Sequence, residues 1–566
     1  MVEIKFDRYY NYKDLTNTLN SFVKEYPSTA KIRSIGKTSK GRELWLMEVT
    51  NSDTGPSESK PAVWIDGNTH AGEVFGSMVC MKTIWYLLEN YQKRDDIRVM
   101  LDSTSFYILP RIDVDGAEFV LTTPYYVLGG DNETGGGRWY PLSENEWRTN
   151  EHGLYLEDID GDGFIVSMRL KDNAGEWKIS EKDKRIMVLR NSDEVEGDFY
   201  RVYPEGLILN YEGEKEIEMA PPRWSLNFNR NYPGEWAKEE TSKGSGPYPL
   251  SEPETRAVAD FIVNHPNIAI AVTYHTHGGV LLSYSEDEQI PAQDKKLFKI
   301  LEDIFQRTTG YPSVSMRRQG LGGAFSTYLS VHRAIPCMTV ELWDLAGRIG
   351  LGNWVERGGF NTSSRYDQEE QLHKLAEWNQ KELNGDGFID WHEFNHPQLG
   401  KVEIGGWKKK FLWRNPPIKF METEIDKNML FPIKCAELLP KIKISKTSIE
   451  KIKNQIYEIR ATVENIGALP TYIMKHAIDI EVASQVEIII EHANHVRILN
   501  GNEIKKFQLE GFMNKVITDE RSERKNIEEK NKKIFKWIIK ALKDEEINIL
   551  VKSMKAGTVK NRVKIS

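Results

Sequence analysis

Two long stretches of this chain alternate short apolar runs with amphipathic ones, and that alternation restricts the fold more than any other feature. In residues 1–145, Asp14 opens a helical spacing that sets Leu15, Leu19 and Phe22 on one face. PAVWID (61–66) and SFYILP (105–110) read as buried strands, with a helical stretch from Val74 to about Leu88 between them. The pattern returns after residue 222. Ser251–Glu254 (SEPE) has the form of a capping box, Val258, Phe261 and Ile262 share a helix face, and NIAIAVTY (267–274) and IPCMTVEL (335–342) are strands. Strands alternating with helices predict an α/β fold, a doubly wound sheet of mixed strand direction.

At 566 residues the chain exceeds one ordinary core, so two or three domains are expected. Residues 1–400 carry the α/β pattern, with 151–222 read as an insertion because charge rises there and periodicity fails. Residues 401–438 read as a connector with short extended pieces. Residues 439–566 are rich in strand-like runs (KIKIS, QIYEIRATVEN, DIEVAS, VEIIIE, INILVKS, NRVKIS) separated by turn signals, which predicts an all-β sandwich. The formal charge of −8 and the lack of a long basic tract argue against nucleic acid as a partner. No eighteen consecutive residues are apolar, so no membrane span is expected. The opening residues lack the apolar core of a secretory signal, which predicts a cytoplasmic protein or an exported one whose signal was removed before this numbering begins. Three cysteines with no CxxC pair predict buried thiols rather than a disulfide framework.

Five pieces can carry chemistry. WIDGNTHAGE (64–73) passes from a strand into a helix and sets His70 and Glu73 three apart. Ligands of an open α/β sheet bind beyond the carboxyl ends of its strands, and an imidazole with a carboxylate suits zinc. The same HxxE spacing also fits an exposed surface pair. AVTYHTHGGVLLSY (271–284) places His275 and His277 after a strand. Residues i and i+2 point to the same side, so alternation leaves both open as a third ligand. Three protein ligands and a place for water is the usual form of a catalytic zinc site. In TVELWD (339–344), Glu341 falls at another strand end, where a carboxylate is costly unless it is paired or used. WRTN (147–150) and NFNRNYPGEW (227–236) each set an arginine among aromatic and amide residues. Arginine grips carboxylates and stabilises oxyanions, although solvated arginines are common.

Taken in order over about residues 5–400, these pieces resemble the zinc metallocarboxypeptidase family, and GKTSKGRELW (36–45) and GPYPLSEPET (246–255) resemble its bacterial branch. The resemblance implies one zinc ion held by His70, Glu73 and His275, the last chosen because the family's ligand lies five residues before an apolar triplet, here VLL (280–282). It implies Glu341 as the proton carrier, Arg148 as the oxyanion's partner, and Asn229 and Arg230 as the grip on a peptide's terminal carboxylate. Phe325 or Ser326 would floor the pocket for the departing side chain, with Thr339 and Leu282 on its walls. That pocket suits a neutral apolar or aromatic residue, with Arg317 and Arg318 offering acidic preference instead. The expected partners are the C-termini of peptides or proteins, and the expected reaction is removal of single C-terminal residues. An amidase or deacylase on the same scaffold, and a binding protein without catalysis, are the alternatives.

The sequence departs from that family at three places. Asn227 stands where an aspartate orients the first zinc histidine. The mobile tyrosine before a Gly-Gly pair is absent, leaving Tyr311, Arg317 or Arg318 as substitutes. The NPDG turn reads DVDG at 113–116. Separately, DIDGDGF (158–164) supplies Asp158, Asp160 and Asp162 as the front half of a calcium loop, and ELNGDGFIDWHE (382–393) is a weaker relative of it. Neither ligand set is complete, so solvated acidic turns are the plain alternative to calcium.

Overall fold

The computed structural model describes residues 4–126, 152–214, 216–220, 226–242, 244–316, 322–357, 368–493, 496–513, 530–542 and 545–565. The runs AVWIDG (Ala62–Gly67) and IAIAVTYHT (Ile268–Thr276) are buried at every residue, as central strands covered on both faces must be. They lie side by side in an eight-stranded mixed sheet. Its order is Ala30–Lys37, Glu43–Val49, Ser105–Leu109, Ala62–Gly67, Ile268–Thr276, Cys337–Leu342, Val280–Ser283, Ser313–Ser315. The four central strands from Ser105–Leu109 to Cys337–Leu342 run parallel.

Alternation along these strands assigns their faces. Val63, Ile65, Val272, Tyr274, Met338 and Val340 pack into the larger core, beneath helices Phe75–Asn90, Ala292–Thr309 and Ile418–Ala436. Trp64, Ala271 and Cys337 pack on the other face against helix Pro253–Asn264. Asp66, His275 and Glu341 share the parity of that second set and stand at the strands' carboxyl ends. His275 is the register partner of Glu341, and Thr273 that of Asp66.

The expected α/β sheet is therefore present, but several local readings change. The capping box at Ser251–Glu254 does not form. The N-cap is Glu252 without a side-chain cap bond, Pro253 starts the helix, and the Ser251 hydroxyl is engaged with Asn231 and Glu252. The stretch read as a connector holds a 19-residue helix, Ile418–Ala436, whose Met421, Ile425, Met429 and Phe431 belong to the main core. Its first part, Gly400–Trp407, pairs with Phe388–His396 and with Ser167–Lys171 of the 151–222 stretch. A six-stranded antiparallel sheet results, completed by Phe199–Pro204, Trp177–Ile179 and Met187–Leu189 and tied across by Arg169 to Glu403 at 2.9 Å. Strands of three to six residues with charged outer positions carry too few periods to read from sequence.

The C-terminal region folds as two four-stranded antiparallel sheets around Ile459, Ile488, Trp537 and Val551. DIEVAS (479–484), expected as a strand, is not one. Lys475–Asp479 is a short helix followed by a turn. Its start is fixed from elsewhere in the chain, because both carboxylate oxygens of buried Asp294 accept the backbone N–H groups of Lys475 and His476, at 2.7 and 2.8 Å. Leu469, Ile473, Met474 and Ala477 continue the main core beside it. Asp294→Ala is expected to cost about 1–2 kcal/mol, the scale of a lost helix cap. A thermal midpoint equal to that of the unaltered protein would remove Asp294 from this role.

Candidate metal and catalytic site

The metal loop is built by close backbone approach. Gly67 ends its strand against Gly76 of the following helix, where a Cβ would meet the Gly76 carbonyl carbon at 2.6 Å. Asn68 takes a left-handed conformation (φ 58°) and donates from Nδ2 to the His70 carbonyl at 2.5 Å. Asparagine tolerates that conformation better than most residues. The loop so held presents His70 and Glu73 to the end of the neighbouring strand.

There, His70 Nδ1 lies 2.8 Å from Glu73 Oε1, His275 Nδ1 lies 3.0 Å from Oε2, and the two Nδ1 atoms are 3.2 Å apart. One ligand atom from each of the three residues falls within 4.8 Å of the others, and all three residues are buried. Two nitrogens bound tetrahedrally to one zinc ion would be ~3.3 Å apart. The donor set and its spacing therefore fit zinc. Burial alone would raise the Glu73 carboxyl, but the charges and hydrogen bonds of His70 and His275 outweigh it and hold it well below the usual carboxylate range. His277 lies apart from this cluster, its Nδ1 3.2 Å from Arg414 Nη1.

Glu341 is half-buried. Burial first, then the negative charge of Glu73, push its carboxyl up to about 8, against the opposing charges of His275 and Arg414. Beneath the site, fully buried Asp66 accepts from Thr273 Oγ1 and Trp64 Nε1, both at 2.6 Å, and burial pushes it up to about 6. Sequence reasoning passed over Asp66, although its parity with Trp64 in a buried run marks it as a carboxylate inside the sheet.

The other expected residues distribute as follows. Asn229 and Arg230 sit in one turn. Asn229 Oδ1 accepts the Phe325 N–H at 2.9 Å, and Arg230 donates to the Asn229 carbonyl at 2.8 Å. Asn227 Oδ1 accepts the Asn229 N–H at 2.9 Å, while buried His70 Nε2 has no hydrogen-bond partner among the described residues. Asn227 thus caps a turn and does not orient the histidine. Phe325 is 1% exposed among Trp64, Tyr232 and Tyr328. Thr339 faces Leu282 in register on the next strand. Tyr311 is buried with its hydroxyl bound to Glu424, which Arg348 and Lys427 also engage, so it is tied into the core. Asp113 of DVDG caps helix Val114–Thr122 through Gly116 N at 2.8 Å. Arg148, Arg317 and Arg318 lie outside the described residues.

A second acidic group forms away from this site. Asp158 and Asp160 meet Glu205, with one ligand atom of each within 4.8 Å. Asp162 is not in that group; its Oδ1 accepts the Phe164 N–H at 2.8 Å. Glu205 is fully buried, accepts the N–H groups of Ile159 and Val166 at 2.8 and 3.0 Å, and is pushed up to about 7 by burial. No sequence spacing links it to the loop. In the weaker turn, Asp386 pairs with Lys408 at 2.8 Å and Glu382 with Lys419 at 2.9 Å, so lysines supply the positive charge.

Residues 15–154 and 211–328 match the zinc carboxypeptidase family. The gap between them falls inside the stretch read as an insertion. Residues 441–564 match a family described as a domain of unknown function (DUF8731). Over 115 residues the chain is 28% identical to the zinc carboxypeptidase of Saccharothrix mutabilis subsp. capreolus, covering 20% of this chain and 26% of that one. Over 173 residues it is 31% identical to carboxypeptidase M of Mus musculus, covering 30% and 39%. The chain thus spans well under half the length of these curated relatives. Among solved structures, the carboxypeptidase A of Helicoverpa armigera aligns over 68% of this chain and 76% of its own, with 16% identity and a TM-score of 0.40. No helix among the described residues is long and apolar enough to cross a membrane.

Proposed function

We propose that this protein is a zinc-dependent metallocarboxypeptidase that removes single C-terminal residues from peptides. One observation carries the reading. His70, Glu73 and His275 bring a zinc-type donor set together at the carboxyl end of a parallel sheet, with Glu341 in register beside His275. Bound zinc supplies a Lewis acid that acidifies water and polarises a carbonyl. The Glu341 carboxylate takes a proton from the attacking water and returns it to the leaving amine, acting as general base and then as general acid. Asn229 and Arg230 hold the terminal carboxylate, which fixes the last peptide bond over the site and makes the enzyme an exopeptidase. Arg148, assigned by the family pattern, stabilises the oxyanion.

The test is a mass-spectrometric time course on unblocked peptides with the zinc-loaded protein. Ladders losing one C-terminal residue at a time, absent with chelator, are expected. Bound zinc without any ladder would move the assignment to an amidase or a binding protein.

The acidic group supports a second, smaller reading, a calcium ion held by Asp158, Asp160 and Glu205. Glu205 favours it, being a buried carboxylate brought to the loop from another strand end. Calcium titration by calorimetry is expected to give heat that Glu205→Gln abolishes. No heat with the unaltered protein leaves a solvated acidic turn.

A further inference from the structure

The family match ends at residue 328, yet the chain returns to the metal loop well beyond it. Fully buried Asn415 donates from Nδ2 to the Gly72 carbonyl at 2.8 Å and accepts the Phe75 N–H on Oδ1 at 3.1 Å. These two partners flank Glu73. The Tyr9 hydroxyl donates to the Pro416 carbonyl at 2.6 Å, and Pro417 caps the core helix Ile418–Ala436. Position 414 is therefore anchored to the metal ligands through its immediate neighbours.

From that anchor, Arg414 Nη1 reaches His277 Nδ1 at 3.2 Å. A guanidinium can only donate, so His277 Nδ1 accepts and the ring's Nε2 carries the proton. The Tyr126 ring lies against Gly72, where a Cβ would meet its Cε2 at 2.5 Å, and its hydroxyl is buried with no hydrogen-bond partner among the described residues. Burial keeps that phenol protonated, and the Arg414 charge acts on Tyr126, His277 and Glu341 alike. Arg414, Tyr126, His277 and Glu341 are all half-buried, at the border between core and solvent. A guanidinium, a phenol O–H and an imidazole N–H together form a set of donors. A buried hydroxyl without an acceptor is costly, and an arriving anion that accepts from it removes that cost.

We propose that Arg414, with Tyr126 and His277 beside it, forms a carboxylate-binding subsite of the peptide site, supplied by a segment outside the family match. The inference deepens the carboxypeptidase reading and rests on it. A peptide offers such a carboxylate from two sources, its own C-terminus or an acidic side chain next to the last residue.

The experiment is calorimetric titration of zinc-loaded Glu341→Gln protein with an acetylated tetrapeptide ending Glu-Phe, with and without Arg414→Gln or Tyr126→Phe. Arg414→Gln is expected to weaken binding about 30-fold and Tyr126→Phe about 15-fold, the scale of lost hydrogen bonds to a charged group, with zinc content unchanged. If Gln in place of the peptide's Glu removes the Arg414 dependence, the side chain is the source. If C-terminal amidation removes it, the terminus is. Should Arg414→Gln lose zinc or melt early, Arg414→Lys decides, since it keeps the charge but not the fork; about tenfold weaker binding is then expected. Affinity within twofold of the Arg414 protein, or no binding in any background, overturns the proposal. Failure of the carboxypeptidase reading looks different: Arg414-dependent binding persists while the unaltered zinc-loaded protein trims nothing.

Discussion

Glu341→Gln is expected to lower kcat/KM on unblocked peptides by about 10³-fold, within the range attributed to a positioned acid–base group. The amide has nearly the same shape and cannot take a proton from water at neutral pH. Because Glu341 stands outside the group formed by His70, Glu73 and His275, zinc content should stay at the level of the unaltered protein. Folding should not suffer, since the carboxyl is already raised by burial and by Glu73, and a neutral group there relieves that repulsion. Elemental analysis beside a peptide-cleavage assay checks both halves. Activity within tenfold of the unaltered protein would transfer the proton work to another group.

The second large effect separates the two histidines of the HTH stretch. His275→Ala is expected to weaken zinc binding by more than 100-fold, beyond the 10–100-fold typical of losing a ligand's supporting partner. His277→Ala should keep the ion, because that ring faces Arg414 rather than the ligand cluster. Thermal melts provide an independent readout. An ion at a thousand times its Kd stabilises the native state by about 4 kcal/mol, so zinc should raise the midpoint of the unaltered protein and of His277→Ala, but not that of His275→Ala. The reverse pattern would exchange the two assignments.

Much of the sheet was legible because it is written in short periods. AVWI (62–65) and IAIAV (268–272) are unbroken apolar runs, and each strand ends within a few residues of its run in polar positions. The short strands of 167–204 were not legible, since they hold their places through Gly400–Trp407 and the Arg169–Glu403 pair rather than through their own pattern. The 418–436 stretch went unread as a helix because Pro432 and scattered charges blur its spacing, while the packing against two core helices fixes it. DIEVAS fails as a strand for a related reason: Asp294, far away in the chain, supplies a helix start to the residues just before it.

By itself the sequence determined which residues end the central strands. Glu341 was readable at the end of one buried run and His275 and His277 at the end of another, and the HxxE spacing adds His70 and Glu73 on an adjoining loop, whereas the pairing of the strands put Asp66, His275 and Glu341 on one side of the sheet. Only the tertiary structure decided what meets there. It placed His275 on Glu73 and turned His277 toward Arg414, brought Asn415 under Gly72, and carried Glu205 to the Asp158 loop. Each of those contacts joins residues tens to hundreds of positions apart. Local periodicity records how a segment folds on itself and carries no trace of the distant groups that satisfy its polar atoms.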